Sequence, residues 1–196
     1  RRHTRSLCDW SSDVCSSDLF LNPLKSLGSD YFITNKLTAA IVHGHGAYLY
    51  WSAPNIKHDT NLSLESLRRT LIKYQEEKGV LPPVLYLQLD NAADNKSKRF
   101  LAFISYLIEK RIFKKIQLSY LVVGHTHEDF DVLFSVTSRY FKYKLQRVRT
   151  IEEFVEGINE SLKNNPPKCL ERIEHCFNYS ILDQFVDPNF ARFNLN

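Results

Sequence analysis

The amino-acid sequence predicts an α/β domain in which strands and helices alternate along the chain. Two short apolar runs, residues 84–89 and 116–123, have the length and composition of buried strands. A β-hairpin pattern precedes them, and helical spacing of apolar residues occurs before, between and after them. Because a helix that connects two strands favours parallel pairing, we expect at least two parallel neighbours in one sheet.

The hairpin is the first predicted element and spans residues 36–51. Two apolar segments flank Gly44 and Gly46, which permit the backbone conformations of a tight turn. His43 and His45 lie on either side of Gly44. We interpret both histidines as parts of the turn rather than as ligands.

Four helices follow from the spacing of apolar side chains and from capping residues. The first has Ser63 as its expected N-cap and ends at Gly79, and the third begins near Thr126. The fourth opens with a capping box at residues 150–153, and a further strand is expected within residues 170–181. The apolar faces are Leu64, Leu67, Leu71 and Tyr74 in the first helix, Phe100, Phe103, Ile104 and Leu107 in the second, and Phe130, Leu133, Phe134 and Thr137 in the third.

The first 19 residues have a different origin from the rest of the chain. Residues 9–19 have the sequence DWSSDVCSSDL, which is the translation of a common sequencing adapter, and residues 1–5 fit the same oligonucleotide. We therefore interpret residues 1–19 as translated adapter and exclude them from fold reasoning. The alternative is a disordered tail rich in Ser and Asp. Residues 20–196 are then expected to form a single domain.

Composition bounds the function classes without selecting one. The net charge of +4 is mild and does not by itself indicate nucleic-acid binding. Without the adapter only Cys169 and Cys176 remain, which favours a reducing compartment over a disulfide framework. No apolar run approaches the roughly 18 residues that a membrane-spanning helix needs.

Polar residues that could carry chemistry follow both predicted buried strands. Asp90 and Asn91 come directly after the first strand, and residues 124–131 (GHTHEDFD) follow the second. In an open α/β sheet, ligands bind at the carboxyl ends of the strands. Carboxylates on such an edge suit Mg²⁺, and two such ions can clamp the oxygens of a phosphodiester.

The acidic residues also have structural interpretations. Asp90 with Asn91 is typical of a cap or turn at a helix start. Glu128 and Asp129 fall in the first turn of a helix, where the helix dipole favours acids. Asp131 lies further into that helix, three residues from Glu128 on the same face, so capping explains it less well.

The basic residues after the first strand are open to two interpretations. Lys96, Lys98 and Arg99 could contact phosphates, or they could form a solvated helix face.

Several motifs together resemble a known family. LYLQLDN, four residues and Lys96 are followed by a helix, a strand, VGHTHEDFD, three residues and a Ser. This pattern resembles transposon-derived proteins known only by a domain of unknown function, which are similar to RNase H-like transposases and integrases. The resemblance covers about residues 37–141, including LTAAIVHGHG and LPPVLYLQLDN.

The resemblance implies an RNase H-like mixed sheet with helices on both faces, with a core of about residues 36–145 and an extension at 150–196. It also implies three acidic ligands for Mg²⁺ or Mn²⁺, of which Asp90 matches the second and Asp131 the third. His125 and Asn91 match residues beside those acids, and His125 or Glu128 would assist proton movement. The remaining residues expected to contact substrate or support the ligands are Asn95, Lys96, Thr126 and His127.

The chain departs from the family pattern at its start. The first acidic strand should precede the hairpin, where the adapter sequence stands. We therefore expect an N-terminally truncated chain that lacks the first strand and one metal ligand. A two-metal site is expected only in the intact parent, and this chain is expected to be inactive. Ala92 and Asp94 stand where relatives carry Cys and Glu.

Three function classes remain open. The parent is expected to be a metal-dependent DNA nuclease or strand transferase, nuclear in a eukaryote, with a homodimer as an open alternative. The second class is a domesticated, non-catalytic DNA- or protein-binding module.

The third class is a metallohydrolase, because GHTH at residues 124–127 also closes the metal site of calcineurin-like metallophosphoesterases. Their Asp-x-His and Gly-Asn-His-Asp/Glu motifs do not occur in the sequence, and Phe130 stands where a metallo-β-lactamase motif requires His. A His-rich site would prefer zinc, whereas a carboxylate site prefers magnesium.

Overall fold

The computed structural model describes residues 9–21, 33–89, 93–120, 128–145, 148 and 150–185. Within these residues the core is a six-stranded sheet in the spatial order β5-β4-β1-β2-β3-β6. The strands are β1 (Asp9–Leu21), β2 (Ile33–Val42), β3 (Gly46–Ser52), β4 (Val84–Leu89), β5 (Lys115–Tyr120) and β6 (Cys169–Ile173). The helices are α1 (Thr60–Lys78), α2 (Lys98–Glu109), α3 (Glu128–Tyr140) and α4 (Ile151–Ser161), with 3-10 helices at Ala93–Lys96 and Tyr179–Phe185 and a π-helical turn at Phe141–Leu145.

The strand directions confirm the predicted fold class. β2 pairs antiparallel with both β1 and β3, whereas the pairs β1–β4, β4–β5 and β3–β6 are parallel. A hairpin followed by parallel strands that return to the far side of β1 is the RNase H-like arrangement. The predicted parallel neighbours are β4 and β5, and the last strand, β6, adds to the free edge of the hairpin.

Helices cover both faces of the sheet, as the family resemblance implies. Successive side chains of β3 alternate between the two cores: Tyr48 and Tyr50 pack with α1 and α2, and Leu49 and Trp51 pack with α3 and α4. Each of these four side chains is at most 4% exposed. Complete burial of one such apolar side chain contributes about 1.5–3 kcal/mol, so both cores stabilise the sheet.

The helix starts are partly as predicted. The cap of α4 is confirmed, because the Thr150 hydroxyl accepts a hydrogen bond from the Glu153 amide at 3.2 Å. The expected Ser63 cap of α1 is wrong. The Asp59 carboxylate is the cap and accepts from the Asn61 amide at 2.8 Å. A carboxylate at this position also interacts favourably with the helix dipole, which the Ser63 hydroxyl could do only weakly.

β5 differs from the predicted buried strand at residues 116–123. Lys115, Gln117 and Ser119 are exposed, while Ile116 and Leu118 are half-buried. In the described sheet β5 is an edge strand, so one of its faces remains in contact with solvent. Residues 121–123 lie outside the described part of the chain.

The position of β1 corrects the expectation that the first strand is missing. The structure pairs Ser12 with Val42 of β2 and with Leu87 of β4. Backbone groups on the facing edges of β2 and β4 need partners, and any extended segment can supply them. Seven of the eleven residues 9–19 are Ser or Asp, whereas a strand covered on both faces is typically apolar. The strand position is therefore filled, and the adapter origin of its residues stays a prediction.

Candidate functional site

The two motifs that could carry chemistry leave the sheet at neighbouring points. β4 ends at Leu89 and β5 ends at Tyr120, and these two residues are partners in the parallel pair. Asp90 follows Leu89 directly, and residues 121–127 follow Tyr120. The topology therefore starts both motifs from one carboxyl edge, which we call the β4–β5 edge. The predicted site residues Asp90, Asn91, His125, Thr126 and His127 lie outside the described residues.

Asn95 and Lys96 are tied to this edge by Tyr120. Asn95 is only 4% exposed, and its backbone carbonyl accepts a hydrogen bond from the Tyr120 hydroxyl at 3.1 Å. The Lys96 ammonium lies 5.5 Å from the centroid of the Tyr120 ring, within the range of a cation–π contact. Burial raises the pKa of Tyr120, so its hydroxyl keeps its proton as a donor. Sequence reasoning missed Tyr120, although an aromatic residue with a polar tip at the end of a strand is a usable signal.

The first turn of α3 contains the predicted ligand Asp131. Phe130 is 1% exposed and points into the core, whereas Asp131 is exposed. Within the described residues Asp131 makes no ion pair. Glu128 begins α3, so this predicted residue is close to Asp131 along the helix.

Asp129 points to a different place from Asp131, since two residues of a helix differ by about 200°. Asp129 lines a cleft of about 490 Å³ together with Gly44, Val132 and Asn165. This cleft, which we call the hairpin cleft, lies between the β2–β3 turn, α3 and the end of α4. Of the two aspartates, Asp131 is thus the one that lies outside this cleft.

The basic residues of α2 do not form a free cluster. Arg99 donates from Nε to Asp183 Oδ1 at 3.1 Å and from Nη2 to Asp183 Oδ2 at 2.6 Å. It also donates to the Asn61 side chain at 3.2 Å. Hydrogen bonds from Arg99 lower the pKa of Asp183, so the pair stays charged near neutral pH. Arg99 therefore holds the C-terminal 3-10 helix against α2, and Lys98 beside it is exposed.

His45 does more than complete the hairpin turn. Its Nε2 lies 2.7 Å from Glu77 Oε2, and its ring packs edge-on against Tyr74 with a centroid distance of 5.2 Å. His45 thus ties the hairpin to α1, and of the two histidines only His43 is exposed.

A buried carboxylate on α1 is a second feature that sequence reasoning missed. Glu65 is fully buried and accepts hydrogen bonds from Arg68, Arg69 and the Tyr179 hydroxyl. Burial acts most strongly to raise the pKa of Glu65, but these hydrogen bonds together outweigh it and lower the pKa. Since every carboxylate oxygen has partners, we assign Glu65 a structural role: it fixes the C-terminal segment.

The described residues do not form a metal site on their own. Among them, no three His, Cys, Asp or Glu side chains are grouped so that they could hold a metal ion. Of the two predicted metal ligands, Asp131 is described and Asp90 is not. Oxygen ligands such as Asp131 suit Mg²⁺, but one carboxylate cannot hold the ion alone. In the same described residues no helix is long and apolar enough to cross a membrane.

The strand order, the helices on both faces and the β4–β5 edge define an RNase H-like α/β domain. A family model described as "Domain of unknown function (DUF7869)" matches residues 25–192. The chain therefore belongs to this family. Residues 1–19 lie outside the match, and no curated protein matches the chain.

Mos1 transposition complexes are among the solved structures that are similar to the chain. The Mos1 mariner paired-end complex with Mn is 13% identical with a TM-score of 0.42, covering 81% of this chain and 49% of that chain. The pre-cleavage Mos1 transpososome is 12% identical with a TM-score of 0.37, covering 80% and 53%. The chain thus spans about half the length of these solved chains.

Proposed function

We propose that the parent protein is a transposase-like enzyme that cuts or joins DNA phosphodiester bonds with Mg²⁺ or Mn²⁺. The observation that carries this proposal is the β4–β5 edge, from which Asp90 and the GHTHEDFD motif both leave the sheet. Asp131 supports it, because this carboxylate is exposed and remains available to a ligand. Membership of the family agrees with the proposal but does not define a reaction.

The proposal gives each residue of the edge a role. Asp90 and Asp131 would hold the metal together with an acid on the authentic first strand. A divalent ion bound there would stabilise charge on the phosphate. Glu128 or His125 would move a proton, and Lys96, held against Tyr120, would neutralise a phosphate oxygen. The residues proposed to support these groups or contact substrate are Asn91, Asn95, Thr126 and His127.

We propose that the present chain lacks this activity. In the described sheet, residues 9–19 occupy the strand that should carry the first acid. We interpret their sequence as that of a translated adapter, so we expect no selected ligand there. A site with two of three carboxylates binds divalent cations weakly.

The test uses the intact parent with its authentic upstream sequence. Strand cleavage of DNA is measured with Mg²⁺ or Mn²⁺ for Asp90→Asn, Asp131→Asn and Asp129→Asn. We expect the first two substitutions to abolish cleavage. Asp129→Asn is the matched control on the same helical turn and should retain cleavage, because Asp129 lines the hairpin cleft. Cleavage by folded Asp90→Asn at the rate of the unmodified parent would sink the assignment.

A non-catalytic DNA-binding module is the second candidate. It is favoured by three exposed basic side chains at the end of α3 and in the π-helical turn, Arg139, Lys142 and Lys144. DNA binding without metal-dependent cleavage by the intact parent would select this candidate. A calcineurin-like metallophosphoesterase would instead require zinc at residues 124–127, which lie outside the described residues. Activity that depends on zinc and survives Asp90→Asn would indicate that class.

The same proposal makes three expectations about the parent. We propose that residues 20–196 are one domain, that the protein acts as a homodimer, and that it works in the nucleus. Proteolysis that releases residues 150–196 as a separate unit would contradict the single domain. A monomeric mass by light scattering would contradict the homodimer. Exclusion of a tagged parent from the nucleus would contradict the nuclear location.

A further inference from the structure

A basic and aromatic surface at the end of α3 has no role in the edge described above. Residues 138–149 (SRYFKYKLQRVR) contain five basic residues and no acidic residue. Of the five, Arg139, Lys142 and Lys144 are described, and all three side chains are exposed. None of them forms an ion pair with a described carboxylate. A cluster of charges of one sign on a rigid element attracts partners of the opposite charge.

An exposed aromatic ring accompanies the charges. Tyr143 is 63% exposed, and the Lys142 ammonium lies 5.3 Å from the centroid of its ring. A cation held over an aromatic face keeps both groups at the surface. We call Arg139, Lys142, Tyr143 and Lys144 the basic ridge.

The π-helical turn at Phe141–Leu145 holds the ridge in place. The Phe141 ring packs against Phe154 of α4 with a centroid distance of 5.5 Å. Gly157 of α4 permits this approach, because a Cβ atom there would lie 2.8 Å from Phe141 Cζ. With Phe141 turned inward, Lys142 and Tyr143 are presented to solvent. Single π-helical turns inside helices occur frequently at functional sites.

The ridge continues an exposed face of α3 that begins at the predicted metal ligand. Asp131, Ser135, Arg139 and Lys142 are all exposed and follow each other at helical spacing. At 1.5 Å per residue, Lys142 lies about 16 Å along the axis from Asp131.

We propose that the basic ridge binds the sugar–phosphate backbone of single-stranded DNA beside the β4–β5 edge. A basic track with an exposed aromatic side chain is the combination that binds single strands, since phosphates pair with the cations and a base stacks on the ring. An acidic protein surface would use the charges but not the ring of Tyr143. Only the position of the DNA strand relative to the β4–β5 edge rests on the proposed function, since DNA binding itself needs neither metal nor catalysis.

The test measures binding of a labelled oligonucleotide to the 196-residue chain by fluorescence anisotropy at several salt concentrations. The ridge variant is Arg139→Gln/Lys142→Gln/Lys144→Gln. The control variant, Arg111→Gln/Lys110→Gln/Lys114→Gln, removes one Arg and two Lys from exposed positions at the α2–β5 turn. Both variants lose the same charge, and circular dichroism checks that both are folded.

The ridge variant should lose three phosphate contacts, each of which contributes about 0.7 to the slope of log K against log salt for single strands. We therefore expect a slope that is less steep by about 2, and an unchanged slope for the control. Equal slopes for the two variants, or no binding by the unmodified chain, would overturn the inference.

A second pair of variants tests the aromatic ring. Tyr143→Ala should weaken binding about five- to a hundredfold, whereas Tyr143→Phe should retain it, because stacking needs the ring and not the hydroxyl. Equal affinities for these two variants would show that only charge is involved and would contradict the proposed single-strand mode.

The two proposals fail separately. Loss of binding in the ridge variant, together with normal cleavage by Asp90→Asn in the parent, would keep the ridge and reject the catalytic site. The reverse pattern would keep the catalytic site and reject the ridge.

Discussion

Replacing Glu65 with Gln removes one charge from a buried network and should destabilise the domain strongly. Glu65 Oε1 accepts from Arg68 Nη2 and Arg69 Nε, each at 2.7 Å. Glu65 Oε2 accepts from Arg68 Nε at 3.1 Å and from the Tyr179 hydroxyl at 2.8 Å. Glutamine offers one acceptor oxygen, and its amide hydrogens would face other donors. At least one pair of hydrogen bonds is therefore lost.

The magnitude follows from the two charge-assisted hydrogen bonds lost, each of which contributes about 1.5–3 kcal/mol. The side chains of Arg68 and Arg69 remain 32% and 21% exposed, so water partly replaces the lost acceptor. We therefore expect Glu65→Gln to lower the free energy of unfolding by about 2–4 kcal/mol.

Urea unfolding followed by circular dichroism measures this change. Glu76→Gln is the control on the same helix, because Glu76 is exposed and its substitution should change the free energy by less than about 0.5 kcal/mol. If Glu65→Gln and Glu76→Gln have equal stability, the network does not stabilise the fold.

The same variant has a characteristic pH dependence. Although burial raises the pKa of Glu65 most strongly, the hydrogen bonds from Arg68, Arg69 and Tyr179 bring it below its ordinary value of 4.5. A lowered pKa gives stability that is present above pH 4.5 and is lost as the pH falls through the pKa of the folded state. The stability difference between the unmodified chain and Glu65→Gln should therefore shrink below pH 4.5. A difference that stays constant into that acidic range would refute this reasoning.

Three further substitutions test local features by urea unfolding. Thr150→Ala removes the cap of the Glu153 amide and should cost about 1 kcal/mol, whereas Thr150→Ser should cost little; equal losses would contradict the capping role. Gly79→Ala should cost about 1 kcal/mol, because φ is 78° at this helix end, a left-handed conformation that alanine disfavours. A Cβ there would meet no other atom, so the backbone conformation alone causes the cost, and a neutral effect would show that the backbone relaxes. Gly157→Ala should cost about 1–3 kcal/mol, because its Cβ would displace Phe141; unchanged stability would mean that the ring moves freely.

Local signals account for most of the fold that the sequence predicts. The turn glycines, the Thr150 cap and the apolar spacing of the helices depend on neighbouring residues, and the structure confirms all three. The edge position of β5 was not predictable in this way. It depends on which strands pair, and no spacing within residues 116–123 records that order.

Contacts between distant residues were the part of the structure that sequence patterns could not supply. His45 meets Glu77 across 32 residues, and Glu65 meets Tyr179 across 114 residues. Both pairs form only because α1 packs on the sheet and on the C-terminal segment. By contrast, Asp90 and Asp131 were proposed from a family resemblance, and their joint role as ligands stays a prediction.

Sequencing the transcript or genomic locus across the codon for Phe20 tests the central claim most directly. The claim is that in the parent the strand between β2 and β4 is an authentic segment that carries the first acid, and that residues 9–19 stand in its place here. We predict that DWSSDVCSSDL is absent from the locus and that an apolar run containing an Asp stands in its place. A locus that encodes DWSSDVCSSDL would contradict the adapter origin of residues 9–19. An authentic upstream strand without any acid would contradict the three-carboxylate site.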